Sequence, residues 1–257
     1  MAGLAGATQR RGSGCSDMTQ ELTILAATAA SIGLLHTLFG PDHYLPFIAM
    51  SSARKWSLRR TLGITTLCGI GHVSGSLILG ALGIGLGWAV GGLEWFEGAR
   101  GGVAAWLLLG FGLAYTAWGL RRAIRNRPHT HWHGHTDGTL HEHTHIHAQD
   151  HAHAHSAPAE QGVASSVTPW VLFTIFIFGP CEALIPILMY PAAEGSWWGV
   201  ALVALVFGIV TVATMLAIVT IGHLGLARLP LSGLERYSHA LAGLALVACG
   251  LAIQLGL

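Results

Sequence analysis

The chain has 257 residues, of which 52% are hydrophobic and 10% are charged, and its mean hydropathy is +0.56. Soluble domains carry about 25% charged residues, so this composition excludes an ordinary soluble domain and predicts a protein of the lipid bilayer. The net charge of +1 predicts no nucleic-acid partner, because a nucleic-acid-binding surface needs a clear excess of basic residues.

Six apolar stretches are long enough to cross a bilayer as helices, since a helix needs about 20 residues to span the hydrocarbon core. They cover residues 22–50, 61–92, 101–120, 168–193, 198–226 and 238–257. The segment 1–20 has an Arg pair but no continuous apolar core. It therefore predicts an N-terminal tail and not a cleaved signal peptide.

An internal repeat relates the two halves of the chain at a constant offset of 139 residues, which aligns Gly40 with Gly179 and Gly69 with Gly208. Each half holds three predicted spans, and an odd number makes the halves cross the membrane in opposite directions. Inverted repeats of this kind are typical of secondary transporters. The expected fold is an all-α membrane protein of six transmembrane helices. Its predicted parts are a tail (1–20), a first three-span repeat (21–122), a cytoplasmic His-rich linker (123–166) and a second three-span repeat (167–257).

The first span of each half contains a Gly-Pro pair, Gly40-Pro41 and Gly179-Pro180. Proline lacks an amide donor and disfavours helix in the residue before it, while glycine tolerates the resulting backbone. The pairs therefore predict a broken first helix in each repeat, with free backbone groups near the middle of the membrane. The alternative is a kink with a purely structural role.

Polar residues follow both predicted breaks, His36 precedes the first break in the same span, and His72 lies in the second span. A charge in the middle of the membrane costs about 2.5–3.5 kcal/mol on insertion scales, so such residues normally face a cavity or a partner. A single membrane histidine is usually a packing residue, but imidazole, carboxylate and thiol groups together suit a transition-metal dication. The candidate metal ligands are His36, Asp42, His43, His72, Cys181 and Glu182.

Two of these motifs, HTLFGPDH (36–43) and GIGH (69–72), resemble signature motifs of the nickel/cobalt transporter superfamily. GPDH together with GPCE (179–182) is similar to the sulfite-exporter-like or urease-accessory-like branch of that group. The chain has five residues between the first His and the Asp-His pair, where the superfamily has four. The resemblance implies a metal transporter in which the metal is carried by His36, the Asp42-His43 pair and His72.

A histidine-rich tract separates the two halves. Its composition is that of a low-complexity linker, which we expect to lack regular structure and to bind metal in an auxiliary role. A solubilising linker and a pH-sensing segment are the alternatives. Similar tracts in the efflux branch of the superfamily favour export. The eleven histidines are His129, His131, His133, His135, His141, His143, His145, His147, His151, His153 and His155.

The basic residues predict the orientation in the membrane. Most of them fall in alternate connections, 54–60, 121–127 and 228–236, which the positive-inside rule places in the cytoplasm. The connections that hold Glu94, Glu97 and Glu194 then lie outside, as do both termini, and the linker lies inside. We expect a multi-pass protein of the inner (plasma) membrane.

The leading hypothesis from the sequence is a transporter, and not an enzyme, that moves a divalent transition metal by efflux. Nickel and cobalt are the first candidates for the transported metal, and zinc is the next. The metal is the substrate, and no prosthetic group is expected. Three alternatives stay open: an exporter of an oxyanion such as sulfite, a membrane protein that delivers metal to a metalloenzyme, and a thiol–disulfide electron carrier. A second copy of the chain and a cytoplasmic metallochaperone are the candidate protein partners.

Overall fold

The computed structural model describes residues 5–86, 90–125, 129–134, 140–145, 163–179, 181, 183–228 and 234–256. The helical fold class is confirmed for the stretches predicted to lie in the membrane. In the described residues the helices are α1 (Ala5–Phe39), α2 (Leu45–Ala53), α3 (Leu58–Gly85), α4 (Val90–Arg125), α5 (Val163–Phe178), α6 (Leu184–Ala193), α7 (Trp197–Arg228) and α8 (Ser238–Gln254). Two short 3₁₀ turns, Pro41–His43 and Glu235–Tyr237, precede α2 and α8.

Five helical stretches in the described part of the chain are long and apolar enough to cross a membrane. They are Thr19–Phe39, Leu58–Gly85, Gly92–Arg125, Trp197–Arg228 and Glu235–Gln254. The predicted span 168–193 is divided instead into two shorter apolar helices, Thr168–Phe178 and Leu184–Ala193. Neither reaches the roughly 20 residues that a spanning helix needs. The lengths and composition are those of a multi-span membrane protein.

The chain leaves the helical path at both predicted breaks. Helix α1 ends at Phe39, Pro41–His43 forms the 3₁₀ turn, and α2 begins at Leu45. The turn is closed by hydrogen bonds from His43 N to Gly40 O (3.1 Å) and from Tyr44 N to Pro41 O (3.3 Å). In the second half, α5 ends at Phe178 and α6 begins at Leu184. Pro180 lies outside the described residues.

Helices α1 and α2 run along α7. Gly33 of α1 lies against Phe207, and Ile48 of α2 lies against Gly222. Glycine permits this close approach, because membrane helices without large side chains at the contact can bring their backbones together. The first break, between these two contacts, therefore lies opposite the middle of α7. In the same way α5 runs along α3, where Gly71 lies against Phe173.

The structured part of the linker differs from the expectation. Residues His129–Gly134 (β1) and Leu140–His145 (β2) form an antiparallel hairpin in which His129 pairs with His145, His131 with His143, and His133 with His141. The alternate spacing of the histidines matches the two-residue period of a strand, and the threonines between them favour strands. The histidines outside the described residues are His135, His147, His151, His153 and His155.

Candidate metal site

Three histidines predicted as ligands come together beside the first break. His36 comes from the last turn of α1, His43 from the 3₁₀ turn and His72 from the middle of α3. One ligand atom of each lies within 4.8 Å of one ligand atom of the other two. The His36 and His43 rings are 4.7 Å apart between centroids, and those of His43 and His72 are 5.0 Å apart. The cluster could hold a metal ion.

The break is what brings His36 and His43 together. Seven residues of unbroken helix would separate them by about 10.5 Å along its axis. The 3₁₀ turn instead folds His43 back towards the end of α1, so that its ring meets the ring of His36 edge to face. Gly40 is required for this fold, because a Cβ there would lie 2.5 Å from His43 Nδ1. The local sequence Gly-Pro thus builds the site as well as ending the helix.

The two buried imidazoles are oriented by backbone carbonyls. His43 Nδ1 lies 3.1 Å from Gly40 O, and His72 Nδ1 lies 3.3 Å from Phe176 O. A carbonyl only accepts hydrogen bonds, so Nδ1 carries the proton in each ring and Nε2 presents its lone pair. Histidines that bind metals usually show this arrangement, in which the second nitrogen donates to a carbonyl or carboxylate.

Both Nε2 atoms are buried and have no hydrogen-bond partner among the described residues. His43 and His72 are each only 2% exposed. A buried acceptor without a partner is costly, because it loses its hydrogen bonds to water. A histidine with only a packing role would not need a buried Nε2 that has no partner. The free Nε2 lone pairs therefore indicate that His43 and His72 bind a cation.

Asp42 supports His43 and does not join the cluster. Its Oδ1 lies 3.2 Å from His43 Nδ1, on the side of the ring away from Nε2. A carboxylate in this position fixes the ring and increases the basicity of the ligating nitrogen. The sequence predicts Asp42 as a direct ligand, and this stays a prediction. In the structure the 3₁₀ turn points its carboxylate at His43 Nδ1, so Asp42 contacts the cluster through the His43 ring.

The second break contributes Cys181 beside the cluster. Its side chain is fully buried, and Sγ lies 3.9 Å from His36 Nε2. Tetrahedral coordination at zinc-like distances would separate these two atoms by about 3.6 Å. The group of ligand atoms that lie within 4.8 Å of one another contains the three histidines and not Cys181, so Cys181 would become a fourth donor only by moving towards His43 and His72. Glu182, the remaining predicted ligand, lies outside the described residues.

Two charged residues near the site were not predicted from the sequence. Glu97 and Arg100 were placed in an outward-facing connection, but α4 begins at Val90 and Glu97 is completely buried. The two side chains pair at 3.1 Å and bind the backbone of the second break. The sequence did contain a signal for this ion pair, because opposite charges at positions i and i+3 lie on one face of a helix. Glu94, one turn earlier on α4, is exposed.

A cleft of about 480 Å³ leads to the cluster, and His36, Asp42 and His43 line its inner end. Next to His72, the rings of Phe176 and Phe47 pack at 4.7 Å between centroids. Phe47 is fully buried, and the Phe176 ring is 6.3 Å from that of His72. The cleft therefore borders the cluster at His36, Asp42 and His43, and buried aromatic rings border it at His72.

Comparison with known proteins gives no relative. No protein-family model matches the sequence, no curated protein is significantly similar to it, and no solved structure matches its fold. The resemblance of its short motifs to the nickel/cobalt transporters stays a prediction. Arguments about function therefore depend on the site itself.

Proposed function

We propose that the chain is a membrane transporter of a divalent transition-metal ion, bound as substrate by His36, His43 and His72. The observation that carries the proposal is that the buried Nε2 atoms of His43 and His72 have no hydrogen-bond partner in the described part of the chain, while one ligand atom of each ring lies within 4.8 Å of one of His36. Imidazole donors suit nickel, cobalt and zinc. The motif resemblance orders nickel and cobalt before zinc, and the carboxylate of Asp42 offsets part of the cation's charge.

The proposed architecture is an inverted repeat that carries the site between its halves. A reciprocal contact between α3 and α7 supports it: Gly69 lies against Val212, and its counterpart Gly208 lies against Val73, each with the added Cβ 3.2 Å from the valine. Gly69 and Val73 are related to Gly208 and Val212 by the same offset of 139 residues. A contact that exchanges equivalent residues is expected across a two-fold axis.

Rocking of one repeat against the other would open the site to each side in turn. The cleft beside His36 supplies access from one side, and the paired rings of Phe47 and Phe176 would separate to give access from the other. Metal binds only neutral imidazole, so a proton can replace the metal on release. Exchange of metal for protons therefore fits the donor set.

Transport into liposomes tests this function directly. The reconstituted protein should take up Ni²⁺, Co²⁺ or Zn²⁺ and should not take up sulfite, because the cluster offers neutral and acidic groups to a substrate. Protein-free liposomes are the control. Uptake of sulfite alone would replace the proposal with an oxyanion exporter. Metal binding by the purified protein without flux would indicate a metal-delivery protein.

The proposed orientation places the basic connections in the cytoplasm of a cell with an inner membrane. Contacts made by these connections support their location at the same end of the helical bundle. Arg54 donates to Tyr115 OH (3.0 Å) and to Thr168 Oγ (2.7 Å), and Lys55 pairs with Glu235 at 2.5 Å. These bonds join α2, α4, α5 and the start of α8 at one end of the bundle. The positive-inside rule assigns this end to the cytoplasm and both termini to the outside.

Single cysteines at two exposed positions test the orientation. In a protein without its native cysteines, Glu194→Cys should react with an impermeant thiol reagent added to intact cells, and Arg59→Cys should react only after lysis. Both side chains are exposed, so a difference in labelling reflects the side of the membrane and not burial within the protein. The measurement is mass-tag labelling of each variant. The opposite labelling pattern would invert the orientation.

We propose that the His-rich linker concentrates metal at the cytoplasmic mouth without forming part of the permeation site. Replacing its eleven histidines with asparagine keeps the length and polarity of the linker. Maximal flux should persist while the metal concentration for half-maximal flux rises, because a tethered weak site acts through local concentration. Initial rates over a range of metal concentrations measure this. Complete loss of flux in a stably inserted variant would place the transport site in the linker.

A further inference from the structure

The second break leaves two backbone groups that α5 and α6 do not satisfy between them. Helix α5 ends at Phe178, so Gly179 O and Cys181 N fall beyond its regular hydrogen bonds. Both lie in the interior of the bundle beside His72, since a Cβ on Gly179 would lie 2.9 Å from His72 Nδ1. Buried backbone groups inside a membrane protein need partners, because lipid supplies none.

Helix α4 supplies both partners through one ion pair. Arg100 Nη2 donates to Gly179 O at 2.9 Å, and Glu97 Oε2 accepts from Cys181 N at 3.3 Å. Arg100 also donates to Ser76 Oγ of α3 at 2.5 Å, and its Nη1 lies 3.1 Å from Glu97 Oε1. Two opposite charges one helical turn apart thus hold the residues on either side of the break.

The first break needs no such support. Gly40 O accepts from His43 N within the 3₁₀ turn and also lies 3.1 Å from His43 Nδ1. Another helix adds one weak bond, from Cys249 Sγ of α8 to Pro41 O at 3.9 Å, and the bonds within the turn do the rest. The position of Cys181 depends instead on Glu97 and Arg100, which come from a different helix.

The placement of Cys181 decides how many donors face a metal ion. With the backbone held at Gly179 and Cys181, Sγ lies 3.9 Å from His36 Nε2. Three imidazoles alone leave a coordination position open, whereas three imidazoles and a thiolate complete a tetrahedron. Tetrahedral sites with sulfur suit zinc and cobalt, while nickel prefers square-planar or octahedral surroundings.

We propose that Glu97 and Arg100 are positioning residues that hold Cys181 beside His36, from where it closes on a bound cation as the fourth donor, so that the site favours tetrahedral ions, Zn²⁺ and Co²⁺, over Ni²⁺. The inference rests on the proposed function for its metal, and it replaces the order of metals that the motif resemblance gave. On binding, the S–H bond of Cys181 breaks as the metal–sulfur bond forms, and the proton passes to solvent water.

The test removes the ion pair as a unit. Glu97→Met/Arg100→Met replaces both charges with unbranched apolar side chains, which avoids leaving one charge buried without its partner. Glu94→Met is the matched control, because Glu94 lies on the same helix but is exposed. All variants carry alanine in place of Cys15, Cys68 and Cys249, so that Cys181 is the only thiol.

The first measurement is the rate at which a small thiol reagent modifies Cys181 in metal-free protein. The double variant should react at least about tenfold faster than the control, because the loss of one charge-assisted hydrogen bond is enough for that factor. Ser76→Ala, which removes one bond to Arg100 and keeps both charges, should raise the rate in the same direction. An unchanged rate in both variants would overturn the positioning role.

The second measurement is the absorption spectrum with Co²⁺ alone. The parent protein and Glu94→Met should show a thiolate-to-cobalt charge-transfer band, which Cys181→Ser and the double variant should lose while keeping the d–d bands of cobalt on imidazole. A charge-transfer band of full intensity in the double variant would overturn the inference. So would d–d bands without a charge-transfer band in the parent, although the three-histidine site would stand. Absence of both bands in the parent would instead overturn the proposed function.

Discussion

His43→Ala should abolish metal flux and weaken metal binding by more than about 100-fold, since the loss of a partner that only orients a ligand already costs 10–100-fold. The substitution removes the central imidazole of the cluster, whose ring lies beside both His36 and His72. Equilibrium dialysis of the purified protein measures binding, and uptake by liposomes measures flux.

His223→Ala is the matched control for this result. His223 lies in the helical bundle and is partly buried, but its Nδ1 contacts Ser51 Oγ at 3.2 Å, away from the cluster. Its removal should leave metal binding unchanged. Asp42→Asn should fall between the two, because it keeps the His43 ligand and removes only the charge beside it. If the His43→Ala variant transported metal as fast as the wild-type protein, the first break would bind no metal.

Gly40→Ala should also abolish metal binding, although every ligand remains. The added Cβ would lie 2.5 Å from His43 Nδ1 and 3.0 Å from Asp42 Oδ1. These distances are too short for non-bonded atoms, so the His43 ring must leave its position opposite His72. The measurement is metal affinity in well-folded protein, with thermal stability recorded alongside.

The control for the glycine substitution is Gly63→Ala on α3. No atom outside its own helix lies within 4 Å of an added Cβ there. Alanine in a helix interior is favoured over glycine by about 0.5–1 kcal/mol, so this variant should bind metal normally and be no less stable. Equal metal affinity of Gly40→Ala and Gly63→Ala would show that the glycine does not shape the site.

The three histidines could be associated from the sequence because their signals are local. Gly40-Pro41 interrupts an apolar stretch, and His36, His43 and His72 are polar residues where a membrane helix normally has none. A break of this kind brings nearby side chains together whatever the neighbouring helices do. The pairing of His36 with His43 therefore did not require knowledge of the tertiary fold. His72 comes from α3, so its approach is a tertiary feature, and the sequence associated it with the other two only through ligand chemistry and the motif resemblance.

The roles of Asp42 and Glu97 could not be obtained in this way. Whether Asp42 faces the cluster or the Nδ1 side of His43 depends on the rotation of a single 3₁₀ turn. Glu97 occurs in a segment whose three charges are typical of a connection between spans. Its burial depends on where α4 begins and on the approach of the second break, which are both tertiary features.

The aromatic contact between Phe47 and Phe176 has a consequence for the electrical behaviour of the membrane. A dication that leaves the imidazoles towards these rings meets apolar side chains in a region of low dielectric constant, which disfavours a bare charge. Simple diffusion past the rings would be prohibitively slow. Cells that hold many copies of the protein would therefore keep their membrane potential, because each ion crosses only as often as the helices themselves rearrange. Its turnover should have the steep temperature dependence of a conformational change and not the shallow one of an open pore.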